Sequence, residues 1–400
     1  MSSLSGKKIL LGISGGIAAY KTPLLVRELI KFGAEVRVLM TPLAKDFVTP
    51  LTLSALSKNP VLSSFTNNEL DNPVWNNHVE LGLWADLYII APATSNTLSS
   101  MAQGRCNNLL LATYLSAKCP VYFAPAMDLD MYKHPSTINN INKLTSFSNI
   151  HIPATYGFLA SGLEGEGRMC EPEEIISFIK LDLEDKLILK GKKILITSGP
   201  TREAIDKVRY ISNYSSGKMG FSLAKVAISL GANVTIISGP TDQVIEKERL
   251  DVINVVSAED MFNEVEAHLP KYDIIIFAAA VSDFKPKDVF TSKLKNKNIN
   301  LELVQTNDIA MFASTIRTKN QIIVGFALET ENGIINAKEK LIKKDFDLII
   351  LNSLQDKNSG FNYDTNKITI IDKASNVYSF KLKDKIEVAK DIFDKIIELT

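Results

Sequence analysis

A short segment in the middle of the chain, residues 198–220, concentrates side chains that bind anions. It follows an apolar, strand-like run and opens with the loop Ser198-Gly199-Pro200, which can present backbone N–H groups to a phosphate. It then offers an amide, two hydroxyls, a glycine and a cation within six residues: Asn213, Ser215, Ser216, Gly217 and Lys218. Ser/Gly clusters also form plain turns, but a structural loop rarely needs all of these groups. The segment therefore predicts a site for a phosphorylated ligand.

A second glycine-rich turn lies near the N-terminus, where Gly12-Ile-Ser14-Gly15-Gly16 follows a strand-like run and opens a helix. The N–H groups and the dipole at such a helix start can hold a phosphate. Alone this turn is a weak signal, because glycines at strand–helix junctions also serve packing. Pro23 indicates that the regular helix begins near Thr22 or is kinked there.

Both turns must be positioned by sheets, and the sequence predicts two of them. Each turn belongs to a β-loop-α-β unit with a glycine at the helix end, and the two units lie about half the chain apart. Continuous apolar runs, typical of parallel strands buried on both faces, cover residues 86–91, 121–124, 274–279, 322–326 and 348–351. A strand pair and a final helix are predicted at residues 367–372, 377–382 and 385–399.

We therefore expect two doubly wound, mainly parallel-sheet, Rossmann-like α/β domains. A chain of 400 residues exceeds the size at which one core stops growing. The charged stretch 180–186, which precedes the first strand of the second unit, is the best linker candidate. We place the domains at residues 1–186 and 187–400.

The composition excludes several classes of function. Lys plus Arg and Asp plus Glu both number 45, so the formal net charge is zero. No overall electrostatic attraction therefore favours binding to nucleic acid or to an anionic membrane. The three cysteines show no paired metal spacing, which indicates a reducing compartment, and we expect a cytoplasmic protein. No apolar run reaches the ~18 residues of a membrane span, and no signal segment precedes the first strand.

Residues 198–220 resemble the signature of phosphopantothenate–cysteine ligases, and the turn at residues 12–16 resembles the FMN phosphate loop of flavin-containing cysteine decarboxylases. Four further segments, at residues 41–47, 78–86, 92–97 and 125–132, follow in that decarboxylase family's order. Almost the whole chain thus resembles the bifunctional coenzyme A enzymes. The resemblance implies a flavodoxin-like flavoprotein domain followed by a ligase domain.

For the first half, the resemblance implies FMN and a set of site residues. Hydride passes from the thiol-bearing carbon to FMN, which gives a thioaldehyde from which CO₂ can leave. By the resemblance, His78 is catalytic, a role that suits histidine as a side chain that can give and take protons, and Asn96 lines the site. The implied FMN contacts are Ser14, Gly15, Thr41 and Ser95. The implied substrate contacts are Met127, Asp128, Arg168 and Met169.

The same half departs from the family pattern. Asp128 stands where an asparagine is usual, and it places a carboxylate against an acidic substrate. Ser161 replaces the proton-donating cysteine of the substrate flap at residues 156–169, and Asn107-Asn108 replaces an acidic pair. A hydroxyl is a weaker acid than a thiol, so the final reduction is expected to be slow unless Cys170 or another donor substitutes. An alternative is therefore that only the ligase works, beside a flavin-binding scaffold or a half that carries out only the oxidative step.

For the second half, the resemblance implies CTP, Mg²⁺ and an acyl-cytidylate, which cysteine then attacks to release CMP. Lys293 is implied in forming this intermediate and Asn213 in holding it for attack. Ser215, Gly217 and Lys218 are the implied substrate contacts; Asp283, Phe326, Lys340 and Lys344 are the implied nucleotide contacts. Lys340 and Lys344 lie four residues apart, on one helix face, and their charges alone would indicate only a solvated surface. Metal ligands stay unassigned.

The implied partners are small molecules: phosphopantothenate, cysteine and CTP. The resemblance also implies a homo-oligomer, in which trimeric flavoprotein halves and dimeric ligase halves build a dodecamer. A rival from another class is a nucleotide-binding regulatory module without turnover.

Overall fold

The computed structural model describes residues 3–67, 74–245, 249–295, 299–353, 355–356, 358–360 and 363–400. The chain divides into two units, Met1–Asp185 and Lys186–Thr400, beside the boundary predicted near residue 186. Leu189 and Ile194 already belong to the core of the second unit.

The first unit contains ten strands and eight helices within its described residues. The strands are β1 (Lys8–Ile13), β2 (Glu35–Met40), β3 (Val61–Leu62), β4 (Thr66–Asn67), β5 (Val74–Trp75), β6 (Leu87–Ala93), β7 (Val121–Pro125), β8 (Ile150–His151), β9 (Thr155–Phe158) and β10 (Glu164–Arg168). The helices are α1 (Thr22–Lys31), α2 (Pro50–Ser57), α3 (His78–Trp84), α4 (Ser95–Ala102), α5 (Leu109–Ser116), α6 (Leu129–Lys133), α7 (Pro135–Ser146) and α8 (Pro172–Asp185). Short 3-10 helices cover Ile17–Lys21 and Pro42–Asp46. Helix α1 thus begins at Thr22, the first of the two arrangements predicted from Pro23.

A parallel sheet in the order β3-β2-β1-β6-β7-β8 forms the centre of this unit. Strand β1 is buried on both faces, since Ile9 and Leu11 pack in one core cluster and Leu10 in another. The chain adds β2 and β3 on one side of β1 and then returns to β6 on the other. The crevice where this order reverses, at the carboxyl ends of β1 and β6, is where doubly wound sheets bind ligands.

The second unit repeats this plan with more strands. They are β11 (Lys193–Ser198), β12 (Arg202–Ala204), β13 (Tyr210–Ser212), β14 (Asn233–Ser238), β15 (Leu250–Asn254), β16 (Ile274–Phe277), β17 (Phe284–Pro286), β18 (Leu303–Gln305), β19 (Ile322–Glu329), β20 (Leu348–Ser353), β21 (Thr365–Asn366), β22 (Thr369–Asp372), β23 (Val377–Ser379) and β24 (Lys383–Asp384). The helices are α9 (Lys218–Ser229), α10 (Ala258–His268), α11 (Ile309–Ile316), α12 (Gly333–Lys343) and α13 (Lys385–Ile397), with a 3-10 turn at Leu269–Lys271.

The main sheet of the second unit has the order β15-β14-β11-β16-β19-β20-β22-β23. Its first six strands are parallel, and the last two pair antiparallel at one edge. The order reverses between β11 and β16, which predicts the ligand crevice at their carboxyl ends. Ile194 and Ile196 face the cluster that contains α9 and α13, and Leu195 faces the opposite cluster, so helices cover both faces. The predicted doubly wound α/β fold is confirmed.

None of the helices in the described part of the chain has both the length and the apolar character of a membrane-spanning segment.

Candidate active sites

A cavity of about 740 Å³ opens at the carboxyl ends of β1, β2, β6 and β7 in the first unit. Its volume lies within the range of small-molecule sites, roughly 300–1,000 Å³. Among the predicted site residues, it is lined by Gly15, Thr41, Ser95, Asn96, Met127, Asp128, Arg168 and Met169. The strand order thus brings eight residues from five separate segments to one place.

The loop after β1 requires glycine and is tied to the loop after β6. A Cβ at Gly15 would lie 2.7 Å from Cβ of Leu43, so a larger residue would push the loops apart. Ser14 Oγ donates to the carbonyl of Pro92 at 2.6 Å and accepts the N–H of Thr94 at 3.0 Å. Ser14 is therefore buried beside the cavity rather than part of its lining. Its hydroxyl fixes the spacing between the two loops.

The lining contains groups that suit a phosphorylated flavin. The hydroxyl of Thr41 is buried and has no hydrogen-bond partner among the described residues, although Thr41 lines the cavity. Ser95 and Asn96 stand at the start of α4, which is capped by the side chain of Thr94. Hydroxyl, amide and backbone N–H donors at a helix start are the groups that bind phosphate oxygens.

A network of two cations and Glu171 borders the same cavity. Arg168, at the end of β10, pairs with Glu171. Lys21 is only 3% exposed, and its Nζ donates to the carbonyl of Met169 at 2.7 Å and to Glu171 at 2.9 Å. Burial alone would raise the pKa of Glu171, but Lys21 and Arg168 lower it overall. Lys21 was missed from the sequence because its partners lie about 150 residues away.

Two residues predicted to be catalytic, His78 and Ser161, are not among the described residues that line this cavity. His78 is the first residue of α3, with its ring edge-on to Trp75 at a centroid distance of 5.9 Å and its Nδ1 buried without a partner. Ser161 is exposed in the turn between β9 and β10, where its Oγ accepts the N–H of Leu163 at 3.4 Å. Cys170 is buried against the carbonyl of Pro153, and this burial raises the pKa of its thiol.

In the second unit, two cavities of about 280 and 580 Å³ meet at the carboxyl ends of β11, β16 and β19. They share five lining residues: Ala279, Val281, Asp283, Phe326 and Lys340. The first cavity also contains the start of α9, including Ser215, Gly217 and Lys218, and the second also contains Lys344. We call the pair the second-unit crevice.

Close packing brings the start of α9 against the end of β11. Gly217 has a φ of +76°, a conformation that favours glycine, and a Cβ there would lie 2.9 Å from Oγ1 of Thr241. The hydroxyl of Ser198 donates to the carbonyl of Gly217 at 3.1 Å. A Cβ at Gly220 would overlap Ser198. The glycines therefore allow the N-terminus of a 12-residue helix to border the crevice.

Two lysines of α12 reach the crevice from one helix face. Lys340 donates to the carbonyl of Phe326 at 2.9 Å, and Lys344, the residue that ends the helix, pairs with Asp308 at 2.9 Å. Burial, followed by the neighbouring charge of Lys344, lowers the pKa of Lys340. Two cations held this close are costly unless an anion accompanies them.

Lys385, which the sequence did not indicate, is a further cation of the crevice. It is the first residue of α13 and only 6% exposed, and its Nζ donates to the carbonyls of Gly360 and Tyr363 at 3.1 and 2.6 Å. Burial, followed by the charge of Lys218, lowers its pKa to about 8. In the sequence, a buried lysine at the start of an amphipathic helix cannot be told from a lysine that is exposed to solvent.

Asn213 and Lys293 do not line either cavity within the described residues. Nδ2 of Asn213 donates to the carbonyls of Ala280 and Val281, at 2.9 and 3.2 Å, and so joins the wall of the crevice. Lys293 is exposed in the connection between β17 and β18. Among the described residues, no group of three or more His, Cys, Asp or Glu side chains is arranged to hold a metal ion.

Comparison with known proteins identifies the family. Residues 189–399 match the family described as DNA/pantothenate metabolism flavoprotein C-terminal domain, and residues 1–183 match the flavoprotein family. The coenzyme A biosynthesis bifunctional protein CoaBC of Bacillus subtilis (strain 168) is 41% identical over 401 residues, which cover 99% of this chain and 98% of that protein. The chain belongs to this family. It is thus a bifunctional enzyme of coenzyme A biosynthesis, with a flavoprotein half and a ligase half.

Two other matches concern the C-terminal half alone and a relative named for a different activity. A crystal structure of the C-terminal domain of a coenzyme A biosynthesis bifunctional protein is 37% identical and covers 54% of this chain and 98% of that domain, with a TM-score of 0.46. A protein named cysteine/cysteine sulfinic acid decarboxylase, from an unknown prokaryotic organism, is 49% identical over 358 residues, which cover 88% of this chain and 99% of that protein.

Proposed function

We propose that this chain converts 4'-phosphopantothenate to 4'-phosphopantetheine in two reactions. Residues 187–400 join cysteine to the acid through an acyl-cytidylate made from CTP, and residues 1–186 decarboxylate the product with FMN. The observation that carries the proposal is the second-unit crevice, where the start of α9 and the cations Lys340 and Lys385 surround one space. The full-length relationship favours two active halves over a ligase joined to a flavin-binding scaffold, and an enzyme over a regulatory module.

A direct test is a product assay. The purified protein should release pyrophosphate from CTP when given phosphopantothenate and Mg²⁺, and mass spectrometry should detect the cysteine adduct and then its decarboxylated form once cysteine is added. An absence of CTP consumption would reject the proposal.

In the ligase half, the residues supply charge and position. A carboxylate is a poor electrophile, so it must first carry a leaving group. Lys340 and Lys344, which line the larger cavity, would hold the triphosphate together with Mg²⁺, and the start of α9 with Lys218 would hold the phosphate of the acid. Phe326 offers a ring to the cytosine beside Asp283. Lys293 would then neutralise the charge that develops as pyrophosphate leaves.

In the decarboxylase half, Gly15, Thr41 and the start of α4 would hold FMN. FMN held there would supply a reversible hydride acceptor for the thiol-bearing carbon. Arg168, kept in place by Glu171 and Lys21, offers a cation to the anionic substrate. The turn between β9 and β10 carries Ser161 directly after the lining residues Leu159 and Ala160, and Ser161 would be the proton donor.

The placement of His78 makes an assembly part of the proposal. His78 lies outside the lining of its own cavity, and the neighbouring apolar side chains Trp75, Val79 and Leu83 are 43–59% exposed. The family resemblance implies a dodecamer. In such a homo-oligomer, His78 of one copy would complete the cavity of another copy. We propose such an assembly in the cytoplasm. A native mass measurement that finds only single chains in an active preparation would reject it.

Replacing Ser161 by Cys is expected to raise the yield of the reduced, decarboxylated product several-fold. The thiol is a much stronger acid than the hydroxyl, and general acid catalysis contributes about 10²–10⁴-fold where it limits a step. The yield is measured by mass spectrometry as the ratio of reduced to oxidised decarboxylated product. Ser136→Cys, which changes an exposed serine of α7, is the matched control, and equal yields from both variants would count against a missing thiol as the limit.

The affinity for the phosphorylated acid is expected to fall by up to about tenfold as the pH rises from 7 to 9. Lys385, with a pKa of about 8, loses its charge in this range, and a hydrogen bond to a charged group is worth about 1.5–3 kcal/mol. The measurement is the KM for phosphopantothenate in pyrophosphate release without cysteine, because cysteine itself titrates nearby. Lys218 and Asp364 are the other charged groups that act on Lys385.

The control for this prediction is Lys385→Arg, which stays charged and should flatten the profile. The effect of pH on stability runs in the opposite direction to the predicted effect on affinity, so the two can be distinguished. The pKa of Lys385 is lowered from 10.5 to about 8 in the folded state, so between these values the unfolded chain binds more protons and this group makes the protein more stable as the pH rises. An unchanged KM across pH 7–9 in the parent protein would remove Lys385 from the binding site.

A second candidate substrate for the first half is free cysteine or its sulfinic acid. The relative that is 49% identical carries the name of that activity. Asp128 also favours it, because a free amino acid bears an ammonium group that the amide of phosphopantothenoylcysteine lacks, and a carboxylate in the cavity lining would attract that charge. The product assay with free cysteine in place of phosphopantothenoylcysteine decides between the two by which one releases CO₂ faster.

A further inference from the structure

A buried carboxylate ties the loop of Lys293 to the hairpin that leads into Asn213. Asp206 lies in the turn between β12 and β13 and is only 3% exposed. Its Oδ1 accepts the N–H groups of Val208 and Arg209, at 2.8 and 2.9 Å, and these two bonds form the turn itself. Its Oδ2 takes no part in these two backbone bonds.

That second oxygen holds the backbone next to Lys293. Oδ2 of Asp206 accepts the N–H of Leu294 at 3.1 Å and Nη1 of Arg209 at 2.9 Å. The same Nη1 donates to the carbonyl of Leu294 at 3.0 Å. Both backbone groups of Leu294 are therefore bound by one ion pair. The N–H of Phe290 donates to the carbonyl of Ile205 at 3.0 Å and fixes the loop on the other side of Lys293.

We propose that Asp206 is a positioning residue of the ligase, which acts with Arg209 to hold the peptide at Leu294 and thereby fixes where Lys293 stands. This inference rests on the proposed function in one respect, the role of Lys293 in forming the acyl-cytidylate. Lys293 itself has no ion pair or hydrogen bond among the described residues, so its own side chain does not fix the loop. The tie at Leu294 is the contact nearest to it along the chain.

The charge of Asp206 is suited to this task. The hydrogen bond from Leu294, ahead of those from Val208 and Arg209, lowers the pKa of Asp206, so the carboxylate stays ionised at neutral pH. The hairpin that Asp206 closes runs through β13 directly into Asn213. One side chain thus holds the loop of the predicted activating lysine against the hairpin of the predicted acceptor asparagine. Since a misplacement of about 1 Å can cost a reaction about 10²-fold, such a tie has kinetic consequences.

The sharpest test is Asp206→Asn. Asparagine keeps one acceptor oxygen for the N–H groups of Val208 and Arg209, so the turn should persist. Its amide nitrogen, however, would face the N–H of Leu294 and Nη1 of Arg209, which are donors themselves, so the tie should break. We expect pyrophosphate release to fall about 10–100-fold, with little change in melting temperature. Trypsin should cleave after Lys293 and Lys295 several-fold faster than in the parent protein.

Two further variants separate positioning from general damage. Adding Lys293→Gln to Asp206→Asn should cause little loss beyond that of Lys293→Gln alone, because both changes act on one group. Asp260→Asn is the matched control, since Asp260 accepts the N–H of Ser257 at 2.9 Å in the cap of α10 and lines neither cavity among the described residues. It should leave pyrophosphate release and cleavage at Lys293 unchanged.

The inference is overturned if Asp206→Asn releases pyrophosphate at the parent rate, or if cleavage after Lys293 is no faster. If Asp206→Asn does not fold, Arg209→Gln, which removes the donor to the carbonyl of Leu294, must show the faster cleavage instead. A parent protein that releases no pyrophosphate would reject the proposed function, and the cleavage rates would then still decide whether Asp206 holds the loop.

Discussion

Replacing Lys293 by Gln is expected to lower CTP-dependent pyrophosphate release by about 10²–10³-fold or more, with little effect on folding. Removing one donor that stabilises developing charge costs about this much in other enzymes. Gln keeps a polar side chain of similar length but no charge. Because Lys293 is exposed and makes no ion pair or hydrogen bond among the described residues, the fold loses nothing measurable with it.

The measurement is the initial rate of pyrophosphate release with phosphopantothenate, CTP and Mg²⁺, in the absence of cysteine. Lys295→Gln is the matched control, since Lys295 lies two residues further along the same exposed loop. An equal loss in both variants would indicate that the loop contributes only a general positive field. A normal rate for Lys293→Gln would remove Lys293 from the reaction.

The fold was predictable because its signals are local. The apolar runs that became β6, β7, β16, β19 and β20 were continuous, as expected for strands buried on both faces. In β1 and β11, successive residues alternate between two core clusters, so neither face could tolerate charge. The glycine turns and their order then placed the two crevices at the points where the strand order reverses.

The remaining features depend on contacts that no local pattern contains. Lys21 contacts Met169, 148 residues away, and Ser14 contacts Pro92, 78 residues away. Lys385 became a buried cation only because the carbonyls of Gly360 and Tyr363 fold over it. Each of these residues was a common type in an ordinary position along the sequence. Their roles follow from tertiary placement, whereas the positive φ of Gly217 could be explained from its own loop.

The two cation groups of the second-unit crevice would allow one pocket to take the two phosphorylated substrates that we propose. Lys340 and Lys344 border the larger cavity, whereas Lys218 and Lys385 border the smaller one with the start of α9. Lys340 lines both, so the two anions would meet beside it. Paired placement of this kind brings a carboxylate and a nucleotide phosphate together before either reacts, which removes part of the entropic barrier.

Replacing Asn213 by Ala is expected to leave pyrophosphate release within a few-fold of the parent rate while slowing amide formation about 10²-fold. Nδ2 of Asn213 is occupied by the carbonyls of Ala280 and Val281, which leaves Oδ1 without a partner among the described residues. A carbonyl oxygen accepts the N–H of an attacking amine, so Oδ1 suits the second step rather than the first. The two steps are measured separately, as pyrophosphate released and as cysteine adduct formed.

Because Asn213→Ala loses two hydrogen bonds, it should also lower the stability of the fold. A matched variant controls for this loss. Asn213 is exposed, so water can replace the lost donor, and the loss of stability should be near 1 kcal/mol. Asn59 in the first unit also donates its Nδ2 to two backbone carbonyls, those of Val36 and Ser57. Asn59→Ala should lose similar stability and keep both ligase steps. Equal loss of both steps in Asn213→Ala would instead assign Asn213 to the wall of the crevice alone.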